Sequence, residues 1–322
     1  MITLNDYLYS GDTVLKILHR YSDDLREQAK IENNQIDILH SNFLVQMTEL
    51  LEHNDFLTLQ AERMRELYKY MAKEYSFLSF TFKGRIKSLI RAEEKFNGRL
   101  ISSVNDYYRE HHDFPSVAQV RSRLLLYDLI AYRIIISLPK CHLKKGEDRE
   151  SKEIEYLYEL ANKIPSFLEE KGFSVELSSK RISDRLSKEV APYYKDYIEY
   201  PTDFGYKSLH ITLYDNVSRS YFELQLRTKD MDDYAEIGRA NHLTYEKWQE
   251  SERTEKNDIP VGVCKWYDEA IERVEKLQTL ELKDVDVNMF AAINNILVND
   301  GCGLFRGRLI TPFEHLSRFQ HD

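Results

Sequence analysis

Apolar residues in the first 75 positions recur at three- and four-residue intervals, as in Ile36, Leu39, Phe43, Leu44, Met47, Leu50 and Leu51. That period puts them on one face of a helix, and the stretch holds no proline and a single glycine, Gly11. It predicts two or three amphipathic helices, each packed on a neighbour. Residues 76–83 (SFLSFTFK) are aromatic and β-branched and read as a link, and 84–96 read as a helix with basic residues at its start. Asn97-Gly98 is its expected stop. After a turn at 113–116, broken by Pro115, residues 127–138 form a near-continuous apolar run that reads as a buried strand ended by Pro139.

Residues 141–151 read as a loop, 153–171 as a helix ending at Gly172, 173–178 as a strand and 180–193 as a polar, mobile segment. Two strands follow at about 206–214 and 220–228, then a helix over 231–250. Helical spacing returns through 262–298 (Trp266, Ala270, Ile271, Val274, Leu277), before a glycine-rich end, GCGLFRGRLITPFEHL. Strands interleaved with helices predict an α/β or α+β core from about 80 to 250. We divide the chain into a helical N-terminal region (1–78), that core (79–252) and a C-terminal helical extension (253–322).

The hairpin at 206–228 carries the richest chemistry. Strict alternation puts Phe222, Leu224 and Leu226 on one face and Glu223, Gln225 and Arg227 on the other. A carboxylate, an amide and a guanidinium in line suit a site that handles a nucleotide. The polar turn before them holds Tyr206, Ser208 and His210. Tyr206 could stack on a nucleobase or simply pack, and His210 could orient a phosphate or be a satisfied core histidine. On a helix, the interval from Arg85 to Lys95 spans nearly three turns, so Arg85, Lys87 and Lys95 could grip a polyphosphate from one face. A solvated basic face is the competing reading. Asp128 and Arg133 interrupt an apolar strand, where charge is seldom buried without a partner or a metal. Asp128 could hold Mg²⁺ or cap a strand edge. Glu223 could share that ion, take the proton of an attacking hydroxyl, or form an ordinary ion pair. The chain has no GxxxxGK[ST] loop, GxGxxG or GxSxG.

Composition narrows the setting. The 322 residues, 42% hydrophobic, suffice for one large domain or two smaller ones. The formal net charge of -9 argues against a surface coated for nucleic acid, although a local basic patch is compatible with it. No apolar run approaches the ~18 residues of a membrane span. The start, MITLNDYLYSGD, lacks the basic and apolar regions of a signal peptide. Cys141, Cys264 and Cys302 are too scattered for a disulfide framework or a zinc cluster. We expect a cytoplasmic protein.

Taken in order, these segments resemble the RelA/SpoT-type alarmone synthetases, and the small synthetase-only members in particular. RIKS followed by Lys95 is similar to the family's ATP-binding RxKS…K helix, and DLIAYR (128–133) to its D-I-x-G-x-R strand. KDYIEYPTDFGYKSLH (195–210) resembles KDYI-x-x-PK-x-NGY-x-SLH, and ELQLRT (223–228) resembles E-[IV]-Q-[IL]-R-T. Met231, Ala235, Glu236, Gly238, Ala240, His242 and Tyr245 match the helix that follows in the family. The resemblance implies a nucleotidyltransferase-like α+β fold, a mixed sheet flanked by helices. It implies transfer of pyrophosphate from ATP to a ribose 3′-hydroxyl of GDP or GTP, with release of AMP. Arg85, Lys87, Ser88, Lys95 and Arg133 would bind ATP, and Asp128 and Glu223 would hold Mg²⁺ and carry catalysis. Lys195, Tyr206, Ser208, His210, Gln225 and Arg227 would bind the acceptor.

Three positions depart from that pattern. Thr202 stands where the family has lysine, Phe204 where it has asparagine and Ala131 where it has glycine. The first two fall on the acceptor side and remove a cation and an amide. This keeps open a toxin-type enzyme that pyrophosphorylates the 3′ end of tRNA, as well as a silent nucleotide-binding relative. For the flanking segments, regulation, homo-oligomerisation and docking of an antitoxin-like partner stay open.

Overall fold

Strand β2 (Ile130–Ser137) lies at the centre of a mixed sheet, with β1 (Ser79–Ile86) antiparallel on one side and β6 (Ser220–Thr228) parallel on the other. The computed structural model describes residues 1–10, 12–52, 54–178, 183–237, 259–260, 262–280, 303–305 and 308–310. Beyond β6 lies β5 (Leu209–Asp215), and β3 (Phe173–Val175) and β4 (Tyr194–Asp196) pair with successive parts of its far edge. A hairpin of β7 (Gly303–Phe305) and β8 (Arg308–Ile310) joins β1, with Leu309 opposite Gly84. The architecture is α+β, as expected.

The chain divides into two compact units that do not follow its linear order. A helical unit takes the described residues of 1–54, 88–126 and 249–300, and a sheet unit takes those of 55–87, 127–248 and 301–322. Neither the expected boundary at 78 nor that at 252 coincides with a division.

In the helical unit, α2 (Val14–Glu32) starts at a Thr13 cap and ends at Asn33 in the left-handed region, followed by α3 (Gln35–Glu52). Each buries a stripe at helical spacing: Ile17, Leu18, Tyr21 and Leu25 on α2, and Ile36, Phe43, Leu44 and Met47 on α3. Short α1 (Asn5–Leu8) and α6 (Val117–Arg121), long α5 (Leu89–His111) and α9 (Lys265–Gln278) complete it. Its core also contains charge. Tyr21 donates to Glu93 Oε1 at 3.0 Å, and His40 Nε2 lies 2.7 Å from Glu93 Oε2. Arg273 Nη2 donates to Asp37 Oδ1 at 2.8 Å, tying α9 to α3. Burial opposes charge on Glu93, but His40 and Arg273 outweigh it and hold the carboxyl below its usual range.

In the sheet unit, register decides what each face is made of. Tyr132, Ile134 and Ile136 share a face with Leu224, Leu226, Ile211, Leu213, Phe80 and Phe82, all buried. Helix α7 (Arg149–Glu170) packs on β2, β3 and β6 and buries Leu157, Leu160, Ala161 and Ile164, and Tyr158 reaches Asp196 at 2.6 Å. Helix α4 (Asn54–Glu74) is anchored to the β5 end through Arg63, which bonds Asp215 and lies over the Phe173 ring. Helix α8 (Lys229–Ile237) contacts β2 and β6.

Two expectations are corrected here. The segment from Gly84 is not a helix: Gly84, Arg85 and Ile86 end β1, and α5 begins at Leu89, capped by Ser88. Nor does the helix stop at Asn97-Gly98. Asn97 bonds back to the Glu93 carbonyl at 3.0 Å, both residues are buried, and α5 runs on to a left-handed cap at His112. Packing outweighs the low helix propensity of the pair. The expected helix over 231–250 is observed to Ile237, and its remainder, with Gly238, Ala240, His242 and Tyr245, lies outside the described residues. The same holds for 281–300, 311–322 and Cys302.

Candidate active site

The face opposite α7 is polar across five adjacent strands. Lys83 on β1 pairs with Arg133 on β2, Arg133 with Gln225 on β6, Gln225 with His210 on β5, and His210 with Lys195 on β4. Directly paired residues point the same way, so the five side chains form one row about 19 Å wide. A parallel row, one step of two residues away, holds Ala131, Glu223 and Thr212, and in the backbone register Arg85 is the β1 partner of Ala131. Period-two patterning in every strand generates both rows.

Side chains within the rows are joined. Gln225 donates to Glu223 Oε1 at 2.7 Å, and His210 Nδ1 lies 3.2 Å from the same oxygen. His210 Nε2 lies 2.9 Å from the Tyr206 hydroxyl, to which Arg227 Nη2 also donates. A proton on Nδ1 lets His210 donate to Glu223 and accept from Tyr206. Arg227 also donates to Gln225 Oε1 at 2.9 Å and to Ser208 Oγ at 3.4 Å, and its guanidinium lies 4.8 Å from the Tyr206 ring centroid. Tyr206, Ser208, His210, Glu223, Gln225 and Arg227 are thus one connected network, which the sequence pattern predicted as neighbours without its bonds.

The network sets its own ionisation. Burial works against a charged Tyr206, yet the Arg227 guanidinium and His210 outweigh it and bring the phenol down to about 8. Burial likewise disfavours protonated His210, but Glu223 overrides it and raises the imidazole above its ordinary value. Gly205 shapes the turn that delivers Tyr206. Its amide donates to Thr202 O at 2.7 Å, its φ is +74°, and an added Cβ would meet the Tyr234 hydroxyl at 3.3 Å. Thr202 works within that turn, where its hydroxyl accepts from the Tyr206 amide at 3.3 Å.

The donor residues divide between units. Arg85, Lys87, Asp128 and Arg133 belong to the sheet unit, whereas Ser88, at the N-cap of α5, and Lys95, on that helix, belong to the helical unit. Arg85, Lys87 and Lys95 therefore do not form one helix face. Lys87 pairs with Asp128 at 3.3 Å, and its amide donates to Leu129 O at 2.8 Å. Asp128 lies in the turn before β2, three residues and at most about 10 Å of chain from Ala131, the register partner of Glu223. Among the described residues no group of three or more His, Cys, Asp or Glu could hold a metal ion.

Sequence reasoning missed two residues. Asp232, on the first turn of α8, accepts from Arg133 Nη1 at 2.8 Å, Arg227 Nη1 at 3.3 Å and Lys83 Nζ at 2.6 Å. Burial disfavours its charge, but Arg133 and Lys83 more than compensate and hold the carboxyl below its ordinary value. The alternation of Phe80 and Phe82 with Thr81 and Lys83 was a signal for Lys83. Asp232, one of three acids in KDMDDY, had none.

Comparison with known proteins adds what geometry alone cannot. The family model described as the region found in RelA/SpoT proteins matches residues 84–250, just over half of the chain. The chain belongs to the RelA/SpoT family. A GTP pyrophosphokinase of Brucella ovis is 34% identical over 83 residues, which cover 26% of this chain and 11% of that protein. A probable chloroplastic GTP diphosphokinase of Arabidopsis thaliana is 43% identical over 63 residues, 19% of this chain and 11% of that protein. The matches thus span about a tenth of these curated RelA/SpoT relatives. Among solved structures, small alarmone synthetase 2 of Bacillus subtilis aligns over 70% of this chain and 93% of its own at 20% identity, with a TM-score of 0.32. At that score the likeness carries no argument. Among the described residues no helix is long and apolar enough to cross a membrane.

Proposed function

We propose that this RelA/SpoT-family chain transfers the β,γ-pyrophosphate of ATP to the ribose 3′-hydroxyl of GDP or GTP and releases AMP. The cross-strand row carries the reading. Arg133, assigned to the donor, stands toward one end, His210 and Lys195, assigned to the acceptor, stand at the other, and Gln225 lies between with Glu223 one step away. Two substrates aligned along such a row meet near Glu223. Arg85, Lys87 and Arg133, all of the sheet unit, hold the triphosphate, and arginine suits this because its planar fork matches two phosphate oxygens. Lys195, Tyr206, Ser208, His210, Gln225 and Arg227 orient the acceptor.

Pyrophosphoryl transfer needs positioning and charge neutralisation more than covalent chemistry. Glu223, hydrogen-bonded to His210 and Gln225, accepts the proton of the attacking hydroxyl. The oxygen donors of Asp128 and Glu223 fit Mg²⁺, whose role would be to offset phosphate charge.

Incubation with γ-labelled ATP and GDP, GTP or tRNA tests the proposal: label moves to guanosine nucleotide as AMP appears. Asp128→Asn or Glu223→Gln abolishes AMP release in a folded protein, and unchanged release in both removes the site assignment. A tRNA 3′ end is the second reading. It is favoured by Thr202 and Phe204, neither of which offers a cation or amide to an acceptor phosphate or base. Label found in tRNA alone decides for it.

A further inference from the structure

The polar face of the sheet carries an aromatic island, Tyr127, Tyr214 and Tyr221, and none of the three falls in a family motif. On β5 and β6 that face runs in cross-strand pairs: His210 with Gln225, then Thr212 with Glu223, then Tyr214 with Tyr221. Paired residues point the same way, so the two tyrosines share the face with Glu223, one step of two residues or about 7 Å beyond it. Their ring centroids lie 4.8 Å apart. The third ring, Tyr127, meets Tyr221 edge to face at 4.7 Å and 88°. Tyr127 lies outside the strands, in the turn that holds Asp128. All three are half-buried and belong to the sheet unit.

A cross-strand aromatic pair alone is an ordinary way to stabilise a sheet. Two features go beyond that. The apolar core lies on the other face, where Phe222, Leu224 and Leu213 are buried, so these tyrosines do not fill it. Tyr127, moreover, is brought to the pair by the point where the chain re-enters the sheet unit, which puts an aromatic ring next in sequence to the Lys87–Asp128 pair on the donor side. Perpendicular rings form a corner: a flat base stacked on one presents its edge to the other, and π-systems favour both arrangements. Burial first, and the Glu176 carboxylate second, hold the Tyr221 phenol above its ordinary value, so at neutral pH the ring is uncharged and does not repel phosphate.

The order along the face says which base. Tyr206, assigned to the acceptor, is bonded to His210, and Glu223 stands between that end and the tyrosines. The acceptor's base and the aromatic corner thus lie on opposite sides of the group that takes the proton. In ATP only the ribose and one phosphate separate the adenine from the β-phosphorus. With that atom near Glu223, the adenine comes within reach of Tyr221 and Tyr127.

We propose that Tyr127 and Tyr221, backed by Tyr214, form a stacking shelf for the adenine of the ATP donor. This deepens the transferase reading and rests on it for the identity of the nucleotide. The test reads binding rather than turnover: calorimetric titration of the full chain with ATP, with GDP and with inorganic tripolyphosphate, which has the donor's phosphates but no base. Tyr221→Leu and Tyr127→Leu each weaken ATP binding about tenfold, the scale of one base on one aromatic ring, and leave GDP and tripolyphosphate unchanged. Tyr221→Phe, which keeps the ring, binds ATP as the wild type does. Tyr127→Leu, altered outside the strands, decides the matter if Tyr221→Leu fails to fold. ATP bound at wild-type strength by the folded leucine variants overturns the proposal. So does a loss shared by tripolyphosphate, which marks a general disturbance of the site, and so does a loss confined to GDP, which gives the shelf to the acceptor. If the variants lose ATP binding as expected while the wild type moves no label to guanosine nucleotide or tRNA, the transferase reading fails and the shelf stands.

Discussion

Replacing Arg227 by methionine should move the ionisation of Tyr206. The guanidinium donates to the phenol oxygen and sits 4.8 Å from the ring centroid. At an effective dielectric of about 20, a unit charge at that range is worth roughly 3 kcal/mol, or about two pKa units. That is the size of the displacement from 10.0 to about 8 in the native site. Methionine keeps much of the bulk and removes the charge, while burial, which opposes ionisation, remains. Tyr206 in Arg227→Met should therefore titrate at or above the ordinary tyrosine value. The assay is tyrosinate absorbance in the near ultraviolet across pH. Because the chain has 22 tyrosines, the trace of a Tyr206→Phe variant is subtracted to isolate one group. A transition near pH 8 that survives in Tyr206→Phe, or stays near 8 in Arg227→Met, refutes the reasoning. The linkage has a defined sign. Tyr206, depressed in the folded chain, adds stability that is full above about pH 10 and fades as pH falls through 8. His210, raised by Glu223, adds stability that is full below about pH 6.5 and is lost as pH climbs through its folded value.

Three further outcomes follow from the packing. Asp37→Ala strands the buried Arg273 guanidinium and should cost about 3–5 kcal/mol in urea unfolding, with the Asp37→Leu, Arg273→Met pair costing much less. Gly205→Ala forces a left-handed alanine against Tyr234, so a loss of about 1–2 kcal/mol and weaker acceptor binding are expected by thermal melt and titration. Glu93 and Asp232 both have depressed folded pKa values, so their contribution is present above about pH 4 and is lost as acid carries the protein through those values; denaturation midpoints measured down that range should fall, and less steeply in Glu93→Gln.

The β5–β6 hairpin was readable in the sequence because one period, two, runs through it without interruption. Phe222, Leu224 and Leu226 alternate with Glu223, Gln225 and Arg227, and the register keeps that order. β1 was not readable in the same way. Its last residues, Gly84 and Arg85, look like the opening of a basic helix, and only pairing with Ala131 and Tyr132 makes them strand. Local composition carries no information on a partner some fifty residues away. Asp232 was invisible for a similar reason: its role depends on three cations from β1, β2 and β6 meeting at one point. Asn97-Gly98 misled because a stop signal is a local preference, and burial against the bundle overrode it.

The stretch 88–126 is an excursion made between two paired strands. The chain leaves the sheet unit after Lys87 and re-enters it at Tyr127, and the Lys87–Leu129 hydrogen bond staples exit to entrance. A hairpin whose loop carries the two helices α5 and α6 has a neck, and here the neck carries the Lys87–Asp128 pair. That pair and that hydrogen bond thus close the excursion at its base, holding the residue where the chain leaves the sheet against the residues where it returns.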